Sequence, residues 1–344
     1  MPRYPRITIT TALLLALLSI TRAQAQEIKI ATIAPDGTAW MQEMRRGAGE
    51  IAQRTAGRVN FKFYPGGAMG NDKDVLRKIR AGQLQGGAIT GGGLAEVYPD
   101  NQIYSLPFMF HSYDELDYVR GKMDSLITQG MEQHGYISFG LAEGGFAYLM
   151  SSNPIRTVDD LRKEKVWIPE GDKISRNIFE ALGVSPIPLP LTDVLTGLQT
   201  GLITTVGASP TGAIALQWHT KIKYVTDTPL MYFYGAMVID KRAFAKLSQA
   251  DQIAVRSVMQ AVFDKLNKQI RQDNVKAGDA LRRQGVQFVQ LPPGELEKLR
   301  QIAEKSNSKL ATQGIFSPDT LKILESHLQS YRNRLAKTGV RSGP

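Results

Sequence analysis

Hydrophobic and polar positions along this chain switch between two periods. Glu27 to Ala34 alternates at Ile28 and Ile30 and then turns small and apolar, which predicts a first strand. Pro35-Asp36-Gly37 is turn chemistry. Trp40, Met41, Met44, Ala48, Ile51 and Ala52 then recur at helical spacing, and Gly57 closes that helix. Val59, Phe61 and Phe63 alternate as a second strand that runs into Tyr64-Pro65-Gly66-Gly67. Asp72 to Ala81 reads as a short helix with Val75, Leu76 and Ile79 inward, ended by Gly82. Gly86 to Thr90 is a short strand followed by Gly91-Gly92-Gly93. The order β-α-β-α-β belongs to a parallel sheet covered by helices.

The pattern continues with a helix opened by the capping-box spacing Ser112-x-x-Glu115 and running to about residue 133. Tyr136 to Leu141 is a further strand, and Ala147 to Met150 leads through Asn153-Pro154 into what reads as the first crossing between domains. Thr157-x-x-Asp160 caps a short helix, and Val166-Trp167-Ile168 is a strand. A helix runs from Asp172 to Gly183, a proline-studded stretch from Ile187 to Leu191, and a helix from Thr192 to Thr200. Leu202 to Val206 is a strand, which completes a second, smaller β-α-β unit. Met231 to Ile239 is a strand, and Ser248-x-x-Asp251 caps a helix reaching about residue 284, long enough to run across both domains. Val286 to Leu291 is a strand, and two helices close the chain, the second opening at Ser317-Pro318. Two α/β lobes with several crossings and no flexible linker predict a hinged clamshell with its ligand between facing strand ends.

The first residues set the compartment. Two arginines in residues 1–6, an uncharged and mostly apolar run from Ile7 to Ile20, and Ala23-Gln24-Ala25 form the three parts of a secretory signal peptide over residues 1–25. The run is short for a membrane span, which needs roughly 20 apolar residues. The chain has no cysteine, so it offers no lipid-modified cysteine, disulfide or thiolate metal site. These features predict a periplasmic protein. Removing Arg3, Arg6 and Arg22 with the leader lowers the net charge from +10 to +7. Basic and acidic residues interleave throughout, which reads as a solvated surface and not a nucleic-acid stripe.

Catalytic and cofactor chemistry is not legible. His111, His134, His219 and His327 lack the spacing of a helical metal pair. Gly207-Ala208-Ser209-Pro210 lacks the second glycine of a nucleophile elbow. The triglycine at 91–93 matches neither a dinucleotide fingerprint nor a P-loop. It serves a tight strand-to-helix turn, a close backbone approach to a ligand, or both. No cofactor, no metal and no enzyme activity are expected.

Tyr64-Pro65-Gly66-Gly67-Ala68-Met69-Gly70, Arg80-Ala81-Gly82, Leu106-Pro107-Phe108-Met109-Phe110, Asn153-Pro154-Ile155, Asp159-Asp160-Leu161, Ala181 to Pro186 and Leu198-Gln199-Thr200-Gly201 stand in that order along the chain. Together they resemble the solute-binding subunits of TRAP transporters, the DctP-type family. The resemblance covers most of residues 27–330. It implies a two-lobed α/β periplasmic-binding-protein clamshell with a long interdomain helix and a cleft that closes on an organic acid. It further implies delivery to TRAP membrane permease subunits. The lobes are expected at residues 26–149 plus about 231–265, and 150–230 plus about 266–315. A C-terminal helix (316–337) and a disordered tail (338–344) complete the expected layout.

The family pattern places a carboxylate-binding arginine in a strand written K-I-R or K-V-R. Here that strand is Lys165-Val166-Trp167. Leu191 stands where the family often has an aromatic, and Thr205-Val206-Gly207-Ala208-Ser209 replaces an Asp-Gly-Gln-Glu-Asn stretch. Lining chemistry mirrors ligand chemistry, so these changes point to a more apolar ligand: a branched or aromatic acid, or a lipid-like molecule. In the alternative, Trp167 packs under the sheet and Arg156, Arg162 or Arg176 takes the carboxylate. The candidate ligand-binding residues are Asp36, Thr38, Trp40, Met69, Asn71, Thr90, Gly91, Glu143, Phe146, Tyr148, Trp167, Pro169, Glu170, Leu191 and Ser209. Core packing is the competing role for the aromatics and Met69. Glu143 and Glu170 could pair with a basic ligand or a neighbouring arginine. The expected protein is a monomeric uptake receptor with no nucleic-acid partner, closing because its ligand favours the closed state. A sensor or adaptor for a hydrophobic ligand would share this fold.

Overall fold

The structure is a computed structural model and describes residues 25–338. The signal-peptide reading and the tail beyond Thr338 lie outside the described residues. The strands are β1 (Gln26–Thr32), β2 (Val59–Tyr64), β3 (Gly86–Thr90), β4 (Tyr136–Ser138), β5 (Ala142–Ser151), β6 (Trp167–Pro169), β7 (Ile187–Leu189), β8 (Thr205–Ala208), β9 (Tyr224–Thr226), β10 (Met231–Asp240) and β11 (Gln287–Val289). The helices are α1 (Ala39–Arg54), α2 (Asp72–Arg80), α3 (Gly91–Leu94), α4 (Tyr113–Gln133), α5 (Val158–Leu161), α6 (Lys173–Ala181), α7 (Val194–Thr200), α8 (Pro210–Ala215), α9 (Lys241–Phe244), α10 (Gln249–Arg283), α11 (Glu295–Thr312) and α12 (Pro318–Thr338).

Among the described residues, nine strands share one sheet, whose main path is β11-β9-β5-β10-β3-β1-β2. Two strands make it continuous between the lobes. β5 pairs with β10 from Ala142 to Ala147 and then with β8 and β9 from Tyr148 to Ser151. β10 in turn pairs with β3 from Gly235 to Ile239. In the first lobe β1, β2 and β3 are parallel, with Ile30 opposite both Phe63 and Gly86. In the second lobe β6 and β7 are parallel, and a bridge from Val166 to Thr205 joins them to β8. The 35-residue α10 packs on α1 near its start and on α8 further along, so one rigid rod touches both lobes.

Two expectations shift. The strand read over Tyr136 to Leu141 is only the short β4, and the longer strand starts at Ala142, because Gly140 at φ 137° breaks the run. The strand read over Leu202 to Val206 lies three residues later, since Thr204 and Thr205 first bond back to Lys165 O. The caps behave largely as read. Thr157 and Asp160 form a complete capping box. Ser112 accepts from Glu115 N, but the Glu115 carboxylate turns to His111 N (2.7 Å) and Arg332 Nε (2.6 Å) instead of the cap.

Candidate functional site

The first-lobe candidates gather at the carboxyl ends of β1, β2 and β3. The Pro65-Gly66-Gly67 turn is folded back on β1 by Gly66 N–H to Ala34 O (2.9 Å) and Gly67 N–H to Thr32 O (3.0 Å). This turn also reaches the second lobe: a Cβ on Gly67 would lie 3.3 Å from Thr192 Cγ2. Asn71 caps α2 by accepting from Asp74 N, and Met69 O accepts from Lys78 Nζ at 2.7 Å. Thr90 accepts from Gly93 N and donates its hydroxyl to Asp72 Oδ2 at 2.5 Å. Gly91 sits against Tyr234, where a Cβ would come within 3.1 Å of the Tyr234 carbonyl; the close approach explains the small residue. Thr38 caps α1, accepting from Met41 N and donating to Pro35 O. Asp36 is exposed and paired with Arg45 at 2.9 Å, and the Arg45 hydrogen bond holds its carboxyl below the usual range. Trp40 packs on the cluster around Met44 and Val262. Asp36 thus pairs with α1 in solvent, and Trp40 is half-buried at the edge of the core.

The crossing carries the charge. Glu143 is 3% exposed and accepts from Arg120 Nη1 (2.9 Å), Arg271 Nε (2.8 Å) and Arg271 Nη2 (2.6 Å). Arg271 also forks onto Asp117 at 2.7 and 2.5 Å and lies over the Tyr113 ring at 4.4 Å. Arg120 completes the cluster through Asp124 and the Tyr232 hydroxyl. Of the two roles read for Glu143, the structure displays the pairing with neighbouring arginines. Phe146 is buried against Tyr113 and Tyr232. Tyr148 packs against apolar clusters of both lobes, and burial pushes its hydroxyl up to about 12.

In the second lobe Trp167 is 4% exposed, donates its indole N–H to Leu189 O at 3.0 Å and meets Trp218 edge-on. It packs with Val194, Val206 and Ala208, with half-buried Leu191 against the same cluster. Ser209 caps α8 through Gly212 N. Pro169 is half-buried and Glu170 exposed at the end of β6. The three alternative arginines are placed elsewhere. Arg162 pairs with Asp159 and donates to Leu182 O, Arg176 lies 3.7 Å from Glu180 on its own helix, and Arg156 is exposed.

The family model described as "DctP: Bacterial extracellular solute-binding protein, family 7" matches residues 30–313. This chain belongs to that family. Its relatives include the C4-dicarboxylate-binding periplasmic protein DctP of Rhodobacter capsulatus, 24% identical over 313 residues, covering 88% of this chain and 91% of the relative. The 2,3-diketo-L-gulonate-binding periplasmic protein YiaO of Escherichia coli is 25% identical, covering 70% and 73%. Among solved structures, the sugar acid binding protein DctPAm of Advenella mimigardefordensis, in complex with galactonate, superposes at TM-score 0.82 with 19% identity, covering 89% of this chain and 99% of that one. A TRAP periplasmic protein from Ralstonia eutropha with bound (S)-2-acetolactate superposes at 0.81 with 22% identity, covering 88% and 99%. The chain is thus a TRAP-type periplasmic solute-binding receptor, of a family that works with membrane permeases, and its two-lobed fold with a long connecting helix is the family's.

For a family 7 receptor the joints between lobes matter as much as the walls, and sequence reading missed them. Asn274 of α10 accepts from Thr211 N and Oγ1 of α8 and donates to Gly144 O of β5. Gly145 has φ 88°, and a Cβ there would meet Asn274 Nδ2 at 2.3 Å. Ile174 of α6 is buried in the first-lobe cluster with Phe146 and Tyr232. Phe108, at φ 53°, lines a narrow apolar void with Leu149, Ile155 and Leu299. Of these, only the adjacent glycines 144 and 145 inside an apolar strand carried a signal.

Proposed function

We propose that this receptor captures a small monocarboxylic acid with a branched or aromatic body in the cleft between its lobes. It closes about the β5 crossing at Gly144–Gly145 and hands the ligand to its permease partner. The observation that carries this reading is the commitment of the nearby guanidinium groups. Arg120 and Arg271 are saturated by Glu143, Asp117 and Asp124, and Arg162 and Arg176 pair with Asp159 and Glu180 within one turn, which leaves exposed Arg156 as the one of the three alternatives with no acid paired to its side chain among the described residues. A second carboxylate or a sugar acid's row of hydroxyls would find few charged partners in such a cleft, and unpaired polar groups in a closed site are costly. A branched carbon skeleton matches half-buried Tyr148 and Leu191, behind which Phe146 and Trp167 are packed in the core. The branched acid bound by the Ralstonia eutropha structure is of the same class.

The remaining candidates, Met69, Asn71, Thr90, Gly91, Pro169 and Ser209, are read as the rim and floor that orient the acid. Asp36, Thr38, Trp40, Glu143 and Glu170 support the fold around it. The lobe boundaries proposed are residues 26–149 plus about 231–265, and 150–230 plus about 266–315. The protein acts as a monomer, without catalytic turnover and without nucleic acid.

Thermal-shift titration of the mature protein tests the reading, because a ligand bound only by the native state raises Tm by mass action. Phenylacetate and 3-methyl-2-oxobutanoate are expected to raise Tm at millimolar concentration, and succinate and galactonate to leave it unchanged. The opposite pattern sinks the apolar reading and points to a relocated arginine.

A further inference from the structure

Phe108 belongs to the first lobe by its neighbours and to the second by its side chain. Leu106 and Phe110, on either side of it, are buried in the first-lobe cluster with Ile103 and Tyr104, and Met109 packs on the same cluster. The backbone there is pinned as well: Pro107 O accepts from Asn307 Nδ2 (3.3 Å) and Met109 O from Arg332 Nη2 (3.0 Å). The Phe108 ring turns the other way, onto the second-lobe cluster that holds Leu149, Ile155 and Leu299. Its N–H donates to Leu230 O of that cluster at 2.7 Å, and Leu230 N–H goes on to Ala147 O at 2.8 Å.

Two features mark this fit as imperfect. Phe108 stands at φ 53°, in the left-handed region. That conformation disfavours a residue with a side chain roughly five- to thirtyfold, and for a bulky one it persists only where the surroundings impose it. The socket also keeps a void of about 20 Å³ beside the ring, with walls that are mainly aliphatic and aromatic. Protein interiors are normally filled to near crystal density, so the ring has slack. The lobes meanwhile touch across the rim. A Cβ on Gly67 would lie 3.3 Å from Thr192 Cγ2, and Ile174 of α6 is buried in the first-lobe cluster. The left-handed backbone is therefore a property of the closed arrangement.

A residue anchored in both lobes keeps one φ only while the lobes keep one relative placement. We propose that Phe108 is a sprung pivot: closing the cleft drives its φ positive, opening lets the backbone relax, and the slack socket lets the ring turn without leaving it. The strain tilts the empty receptor towards its open form, and the ligand offsets that tilt by its preference for the closed one. Residue 108 thus sets affinity without touching the ligand, as a positioning residue, because apparent affinity scales with the share of the binding-competent form. The inference rests on the reading that this receptor closes on its ligand, and not on which acid it takes.

The chain has no cysteine, so two introduced thiols are unique labelling sites. Lys73→Cys on α2 and Lys173→Cys on α6 are exposed positions, one on each lobe. Spin labels there report the lobe separation by double electron–electron resonance. Phe108→Gly and Phe108→Ala both delete the ring, and only glycine adopts φ 53° without strain. Open and closed forms are both folded, so effects on the unfolded chain drop out of their ratio. Without ligand, the closed-to-open ratio of Phe108→Gly should exceed that of Phe108→Ala about fivefold or more. Equal ratios, with two separations still present, overturn the role of Phe108 and leave closure standing. Where loss of the ring unfolds both variants, Asn307→Ala replaces them, since it keeps the ring and frees Pro107 O. It should raise the closed share about twofold, and an unchanged or lowered share overturns the pivot. A single separation in wild type and variants, with and without phenylacetate or 3-methyl-2-oxobutanoate, overturns the closure reading and this inference with it.

Discussion

The crossing between the lobes and the wall of the second lobe are near neighbours along β5, yet their chemistry is opposite. At the crossing, Glu143, Arg120, Arg271, Asp117 and Asp124 form a continuous ion-pair cluster. A few residues on, Tyr148 faces Ala208, and the apolar core of the second lobe is made of Trp167, Trp218 and Val194, with half-buried Leu191 at its edge. Charge is concentrated where the chain must hold one geometry, and the core of the second lobe beside it carries none. A buried ion pair adds little net stability over an apolar pair, but losing one partner strands the other. The cluster therefore fixes how β5, α4 and α10 meet, while the second lobe is held by apolar packing.

Removing the acid at the centre should break the comparison most strongly. Glu143→Ala leaves Asp124 as the one acid on Arg120, whose side chain is 10% exposed and keeps its bonds to the Tyr232 hydroxyl and Leu141 O, and frees part of Arg271. The expected loss is about 3–5 kcal/mol, reduced by the partial exposure of Arg271, read by urea or thermal unfolding. A loss under about 1 kcal/mol would mean that the cluster is ornamental. On the wall, Trp167→Phe deletes the indole donor to Leu189 O and should cost about 1–3 kcal/mol while keeping the affinity for apolar acids. If instead it abolished binding of phenylacetate with the fold intact, Trp167 would be contacting the ligand through its N–H and not acting as a packed wall. At the joint, Asn274→Ala removes the link from α10 to Thr211 and Gly144. It should cost about 1 kcal/mol in stability and increase the spread of open and closed forms in small-angle scattering without ligand. Unchanged scattering would place the hinge control elsewhere.

Much of this arrangement was legible in the chain. Alternation at Ile28 and Ile30, the helical spacing from Trp40 to Ile51 and the caps at Thr157 and Ser248 each specify local structure. α10 is capped by Ser248 and ends within two residues of its expected stop. Strand bounds were less legible where glycines interrupt, as at Gly140, and where pairing decides, as at Thr205. The site divided on the same line. Met69, Asn71, Thr90 and Gly91 could be placed at or just past the carboxyl ends of β2 and β3 from the local pattern alone. Glu143 and Asp36 could not be told from ligand contacts, because their partners, Arg271 and Arg45, are set by tertiary approach or by a loop's exact path. Phe108 differs again: its left-handed backbone is held by anchors in both lobes, and no local pattern encodes that.

The smallest expected effect belongs to the arginines that could have replaced the missing fork. Arg162 is bound to Asp159 and to Leu182 O, and Arg176 faces Glu180 one turn along α6. Both side chains are more than two-fifths exposed, at 47% and 44%. Exposed pairs of this kind are worth about 0–1 kcal/mol. Arg162→Ala and Arg176→Ala should therefore each leave affinity for phenylacetate and 3-methyl-2-oxobutanoate within about twofold, with stability lowered by no more than that pair energy. A tenfold loss of affinity in either would show that the side chain swings into the cleft on closure and takes the carboxylate itself. That outcome would erase the contrast between a charged crossing and a neutral wall, since the ligand would then bring the second lobe's charge inward. Equal affinities in both variants leave Arg156, exposed and with no acid paired to its side chain among the described residues, as the remaining arginine of the three to test in the same way.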